Sequence, residues 1–169
     1  MTRYLLGAAV VIVFSSVSSP SKPVLTEYVP VMIKREDLNK SVAFLAPKAI
    51  TNTGKIYRFN NYLFAIEPYK GVHVFDNTNP STPVAKTFIR IPGCVDLTIK
   101  DGFLYADNAV DLVTIDISNA NFLRLVDRKQ NVFPETLPPD KKDMPIAYEK
   151  SHRPEGLIIV EWKKQSATS

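Results

Sequence analysis

Asp96, Asp107, Asn108 and Asp111 fall close together in the stretch VDLTIKDGFLYADNAVD. Carboxylate and amide oxygens are hard ligands, so such a set could support divalent-cation binding and metal-assisted hydrolysis. His73, His152 and the single cysteine, Cys94, are the other groups able to act as base or nucleophile. A catalytic thiol needs a base and an orienting partner, and neither histidine has a sequence context that nominates it. Cys94, between Gly93 and Val95 among apolar residues, reads as a buried, inert core thiol. Asp76 and Asp116 end the runs GVHVFD and DLVTID, just before NTNPSTP and ISNAN. An Asp in that place bonds backbone amides ahead of it and fixes a turn, and neither has the dense run of oxygen ligands that a calcium loop shows. On these residues the expectation is a chain with no catalytic residue, no metal-binding residue and no cofactor.

These residues are carried by a segment that repeats itself. Ile56-Tyr57-Arg58-Phe59 aligns with Leu97-Thr98-Ile99-Lys100, Tyr62-Leu63-Phe64-Ala65 with Phe103-Leu104-Tyr105-Ala106, and GVHVFD with DLVTID. Asn60-Asn61 stands where Asp101-Gly102 stands in the second copy; both pairs tolerate the positive φ of a two-residue hairpin. The next connection, Glu67 to Lys70, corresponds to Asp107 to Val110, and a last strand follows, residues 84–91 in one copy and 123–128 in the other. Four strands in about 40 residues, joined by tight turns and repeated in tandem, describe the blade of a β-propeller. Between Lys55 and Val132 no stretch keeps a 3.6-residue apolar stripe, and Gly, Pro and Asn would interrupt one. The one expected helical turn is MIKREDLNKSV, with Leu38 and Val42 on one face.

Around the repeats, the chain divides into residues 1–18, 19–54, 55–134 and 135–169. MTRYLLGAAVVIVFSSVSS has Arg3, an apolar run over residues 4–14 and then small residues, the layout of a secretory signal cut after Ser18. Spanning a bilayer takes about 20 apolar residues, so an uncleaved N-terminal anchor is the alternative. Residues 19–54 lead into the repeats, and 55–134 hold both copies. NVFPETLPPDKKDMPIAYEKSHRPEG, residues 131–156, is rich in proline and charge and reads as an exposed connection, with His152 a solvated loop residue. Leu157-Ile158-Ile159-Val160-Glu161-Trp162 reads as one more strand.

Length and composition set the scale. With 169 residues and 45% hydrophobic content the chain can form one domain with a modest core. The net charge of +4 is scattered over Lys34-Arg35, Lys141-Lys142 and Lys163-Lys164, which speaks against a nucleic-acid footprint. A lone cysteine offers no internal disulfide, so stability must come from packing and strand pairing.

The segments VHVFD and LVTID, with TNTGKIYRFNNYLF, GVHVFDNTNPSTPV, IPGCVDLTIKDGFLYAD and DLVTIDISNANFLRLVDRKQNVFP around them, resemble the LVIVD-repeat β-propeller proteins. The likeness is to the first blades of a branch of bacterial envelope lipoproteins and covers residues 28–134, with GLIIVEWKK matching more loosely. It implies an all-β fold of about two tandem four-stranded antiparallel blades, a truncated propeller, in an exported, periplasmic, secreted or envelope-associated protein. Those relatives end their signal in a lipobox cysteine, and Ser15 to Ser19 contains none, so a soluble exported protein is an equal expectation. A propeller takes about four to eight blades; two alone leave faces and edges open. Three outcomes follow: a fragment of a longer propeller, a ring assembled from copies of the chain, or a small domain capped by the N-terminal segment and the Leu157 to Trp162 strand. The expected function is a non-catalytic protein-interaction or scaffold module whose partner is an unknown protein or envelope component. The rival is a fragment of a metal-dependent propeller hydrolase or lactonase, with Asp96, Asp107, Asn108 and Asp111 contributing.

Overall fold

The computed structural model describes residues 24–119 and 122–165. The expected signal segment and its cleavage site lie outside them. The fold is all-β and antiparallel, in three sheets. The first has five strands in the order β2 (Ala43–Leu45), β6 (Val84–Arg90), β5 (Gly71–Asp76), β4 (Tyr62–Glu67), β3 (Ile56–Phe59). The second has four: β10 (Arg124–Lys129), β9 (Asp111–Asp116), β8 (Phe103–Asn108), β7 (Leu97–Lys100). The third pairs β1 (Tyr28–Lys34) with β11 (Leu157–Lys164).

Local chemistry explains the hairpins. Asn60 at φ 52° turns β3 into β4, while Asp101 at 53° and Gly102 at 80° turn β7 into β8, the left-handed pair a two-residue hairpin demands. The β4–β5 link is one residue longer than the β8–β9 link. It uses Tyr69 at φ 66° and then Gly71 at φ 142°, where a Cβ would lie 2.0 Å from the Ile89 carbonyl oxygen. Asp76 Oδ1 accepts the Thr78 N–H at 3.0 Å, and Asp116 Oδ1 accepts the Ser118 N–H at 3.0 Å. Each aspartate thus closes the turn after its strand.

Strand periodicity sets the core. Phe64 pairs with Val74 and Ile66 with Val72 in the first sheet; Leu104 pairs with Ile115 and Ala106 with Val113 in the second. Side chains alternate across a strand, and all eight belong to one buried cluster with Ile89, Ile91, Cys94 and Leu97. The core therefore lies between the first two sheets; β4 and β5 carry long buried runs because their outer face is covered as well, with Lys48 and Thr51 over Glu67 and Phe88 against His73. A second cluster joins Leu38, Ala109, Val110, Ile158 and Val160, seating the third sheet and the short helix α1 (Arg35–Asn39) against the β8–β9 turn.

Three features depart from the sequence expectations. The helical turn is shorter than MIKREDLNKSV suggests: Met32, Ile33 and Lys34 belong to β1, and α1 ends at Asn39. Leu38 and Val42 consequently enter different clusters and do not share a helical face. The segment before the repeats also supplies a strand, β2, whose Ala43, Phe44 and Leu45 pair with Arg90, Ile89 and Phe88 along the outer edge of β6. Finally, the proline-rich connection is not simply an exposed loop. Phe133 N–H bonds the Val110 carbonyl at 2.9 Å, Trp162 Nε1–H the Thr136 carbonyl at 2.9 Å, and buried Arg153 bonds the Glu135 carboxylate and the Tyr148 and Leu157 carbonyls. Prolines remove backbone donors, so side chains and isolated amides anchor it instead.

Candidate functional site

The four oxygen-bearing residues do not form one site. Asp107 and Asn108 are successive on β8 and point to opposite faces. Asn108 and Asp111, paired across the β8–β9 turn and both 0% exposed, face inward. Asp111 takes Arg35 Nη1 on both carboxylate oxygens at 2.7 Å, Arg128 Nη1 at 2.9 Å and the Asn131 amide at 3.0 Å. Asn108 accepts from Arg128 at 2.7 Å and from the Ser41 hydroxyl at 3.2 Å, and donates to the Pro92 carbonyl. Burial alone would raise the Asp111 carboxyl; the arginines and the amide bring it below the usual carboxylate value. This internal network ties α1, β10 and the β8–β9 turn together, with Arg128 Nη2 buried and without a hydrogen-bond partner among the described residues.

Asp96 and Asp107 lie on the other side, at a cleft of about 500 Å³ between the outer face of the second sheet and residues 133–136. Its body is formed by Tyr105, Leu112, Phe133 and Pro134. The register places Tyr105 opposite Thr114 and Asp107 opposite Leu112, so the same alternation that buries Leu104 and Ala106 turns Tyr105 and Asp107 outward. Residues 133–136 are held over the sheet by the Val110, Trp162 and Arg153 bonds, which makes the cleft a fixed part of the fold.

The two aspartates are held differently. Asp96 bonds Lys55 Nζ at 2.5 Å and the Tyr57 hydroxyl at 2.6 Å, bridging the two larger sheets; the Lys55 hydrogen bond is the main cause of its lowered carboxyl pKa. Asp107 Oδ1 accepts the Val95 and Asp96 amides at 3.0 and 2.9 Å, and Oδ2 the Val95 amide at 3.0 Å. Among the described residues no cation pairs with it, and burial raises its carboxyl pKa above the usual value despite those amides. Thr136 adds a buried hydroxyl with no hydrogen-bond partner among the described residues.

The remaining candidate groups lie elsewhere. Cys94 is fully buried in the core cluster, and its thiol is pushed well up by burial. His152 is exposed beside Glu149 and Ser151. His73 sits on the outer face of the first sheet, 2% exposed, with Nε2 2.8 Å from Glu67 Oε2. The sequence does not nominate this pair. Its one signal is two polar side chains inside otherwise apolar strands on either side of a tight turn, and the Lys48 ammonium and Thr51 hydroxyl that satisfy Glu67 come from the segment before β3.

Among the described residues, no group of three or more His, Cys, Asp or Glu is placed to hold a metal ion. Compared with known proteins, the chain matches no family model, no curated protein and no solved structure.

Proposed function

We propose that this protein is a non-catalytic binding module of the exported LVIVD-repeat type, in which the two larger sheets act as propeller-like blades and the cleft on the second receives the ligand. The observation that carries this reading is the cleft itself: about 500 Å³, largely apolar, and fixed by anchored residues 133–136. Small-molecule sites have this character, an apolar body with a few placed polar groups, and volumes of about 300–1,000 Å³.

The non-catalytic reading is supported by the placement of the bases. His73 is locked to Glu67 on the first sheet and His152 lies on the surface connection, so neither lines the cleft. The hydrolase or lactonase reading needs Asp96, Asp107, Asn108 and Asp111 to converge, and strand alternation divides them. The outer edges of β3, β7 and β10, which pair with no strand among the described residues, support association with further blades or with copies of the chain.

The test is a titration of isotopically labelled protein with 2-phenylethanol, a neutral apolar probe, followed by backbone amide shifts. The expected result is saturable shifts centred on Val95, Leu112 and Phe133 that disappear in Thr98→Trp, a substitution of an exposed cleft residue. Absence of saturable shifts, or shifts unaffected by Thr98→Trp, overturns the reading.

A further inference from the structure

We infer that the cleft is built for a small organic amine: a protonated ammonium head bonded to Asp107, carried on an apolar body lying against Tyr105, Leu112 and Phe133. The inference rests on the cleft being the binding site and adds the chemistry of its ligand.

The charges at the cleft lead to this class. Three carboxylates line it, Asp96, Asp107 and Glu135, and no lysine or arginine does. Two of the three are neutralised by cations outside the lining, Asp96 by Lys55 and Glu135 by Arg153. Asp107 is the exception. Its hydrogen bonds come from neutral groups, the amides of Val95 and Asp96 and the Cys94 thiol, while its neighbours on the outer face are Tyr105 and Leu112. A partly buried carboxylate without a counter-ion disfavours its charged form, and a charge-assisted bond from an ammonium offsets that penalty.

The apolar part of the ligand follows from the walls. Tyr105 and Phe133 offer aromatic surface on which an ammonium or its adjoining carbons can rest, and Leu112 and Pro134 take the rest of the body. An anionic ligand would meet three carboxylates and no cation in the lining.

Three probes of one shape separate the inference from the reading beneath it: 2-phenylethylamine, 2-phenylethanol and phenylacetate, titrated against the full chain by amide shifts at low salt. The amine is expected to bind about tenfold more tightly than the alcohol, as a charge-assisted bond implies, with phenylacetate weakest. Asp107→Asn should bring amine and alcohol together. That variant keeps an acceptor for both amides, because Oδ1 alone already receives Val95 and Asp96. Equal binding of amine and alcohol by the unaltered protein overturns the inference and leaves the cleft standing as an apolar site. Binding of none of the three overturns both. Should Asp107→Asn fail to fold, sodium chloride titration of the amine complex replaces it: affinity that falls steeply with salt for the amine and not for the alcohol supports the ion pair, and equal salt response overturns it.

Discussion

Glu67 Oε2 lies 2.8 Å from His73 Nε2, and the two side chains are only 3% and 2% exposed on the outer face of the first sheet. Ala65 is the residue directly opposite His73, so Glu67 reaches it diagonally across the β4–β5 pair. Lys48 Nζ meets the same carboxylate oxygen at 2.8 Å, and the Thr51 hydroxyl donates to the other. Lys48 also stands 4.1 Å over the Phe88 ring, which packs on His73. One buried carboxylate therefore organises the segment between β2 and β3 against the sheet.

Acid stability should report that carboxylate. Burial alone would raise the Glu67 carboxyl, but hydrogen bonds from Lys48, Thr51 and His73 outweigh it and hold it at about 2, against an ordinary 4.5. A depressed folded value means the stabilisation is complete above the ordinary value and is lost as pH falls from about 4.5 to about 2. Glu67→Gln is expected to lower stability at pH 7 on the order of 3 kcal/mol, and to flatten the curve across that acid range. Urea midpoints for both proteins from neutral pH downward check this; parallel curves would falsify it.

Gly71 should be the least replaceable glycine in the hairpins. Its φ is 142°, and an added Cβ would lie 2.0 Å from the Ile89 carbonyl oxygen and 2.8 Å from the Ile91 nitrogen. Both are backbone atoms at the end of the adjacent strand β6 and cannot swing away. Gly71→Ala is expected to cost on the order of 3 kcal/mol or more. Gly156, at φ 78° with nothing within 4 Å of its added Cβ, supplies the contrast: Gly156→Ala should cost only about 1 kcal/mol, the left-handed backbone penalty. Equal melting shifts in the two variants would remove the steric explanation.

The Asp111 network predicts an asymmetry. Asp111→Ala leaves Arg35 and Arg128, the latter only 12% exposed, with amide oxygens but no carboxylate, and leaves the Asn131 amide without its acceptor; a loss of about 3–5 kcal/mol is expected for breaking a buried pair. Arg35→Ala removes a partly exposed partner while Arg128 and the amide still hold the carboxylate, so about 1–2 kcal/mol is expected. Hydrogen exchange at Asn131 adds a local readout, with protection lost in Asp111→Ala and kept in Arg35→Ala. Matching losses in both variants would mean that Arg128 alone does not sustain the carboxylate.

Cys94 is expected to be silent in the native protein. The thiol is fully buried, its pKa is pushed well up by burial, and Sγ is 3.6 Å from the Asp96 carbonyl oxygen. The thiolate is the reactive form, so labelling by iodoacetamide should proceed only through unfolding and should accelerate with urea as the protein unfolds. Rapid stoichiometric labelling without urea would show that the core around Gly93 and Val95 opens locally.

Much of this architecture is legible in the residues. Asp101-Gly102 and Asn60 announce their hairpins because few residues accept positive φ, and GVHVFD and DLVTID announce strands because β-branched and aromatic residues alternate within short bounds. What stayed hidden depends on distant partners. Nothing local in Ala43-Phe44-Leu45 says that β6 has a free edge to cover, and nothing in Glu67 or His73 says that Lys48 and Thr51 arrive above them. Asp96, Asp107, Asn108 and Asp111 are neighbours in sequence, yet one step along β8 separates the cleft from the Arg35 and Arg128 network.

Trp162 offers a way to loosen the cleft without touching its lining. Its ring is 4% exposed, and its Nε1–H donates to the Thr136 carbonyl at 2.9 Å, tying residues 133–136 to β11. Trp162→Phe keeps an apolar ring but removes the donor, so stability should fall by about 1 kcal/mol. Because the wall of a preformed site then has to be ordered by the ligand, the 2-phenylethanol affinity should fall several-fold while the probe's shift pattern stays centred on the same amides. Calorimetric melts and the amide-shift titration measure the two effects separately. A stability loss with unchanged affinity would assign the fixing of that wall to the Arg153–Glu135 pair and the Phe133 amide alone.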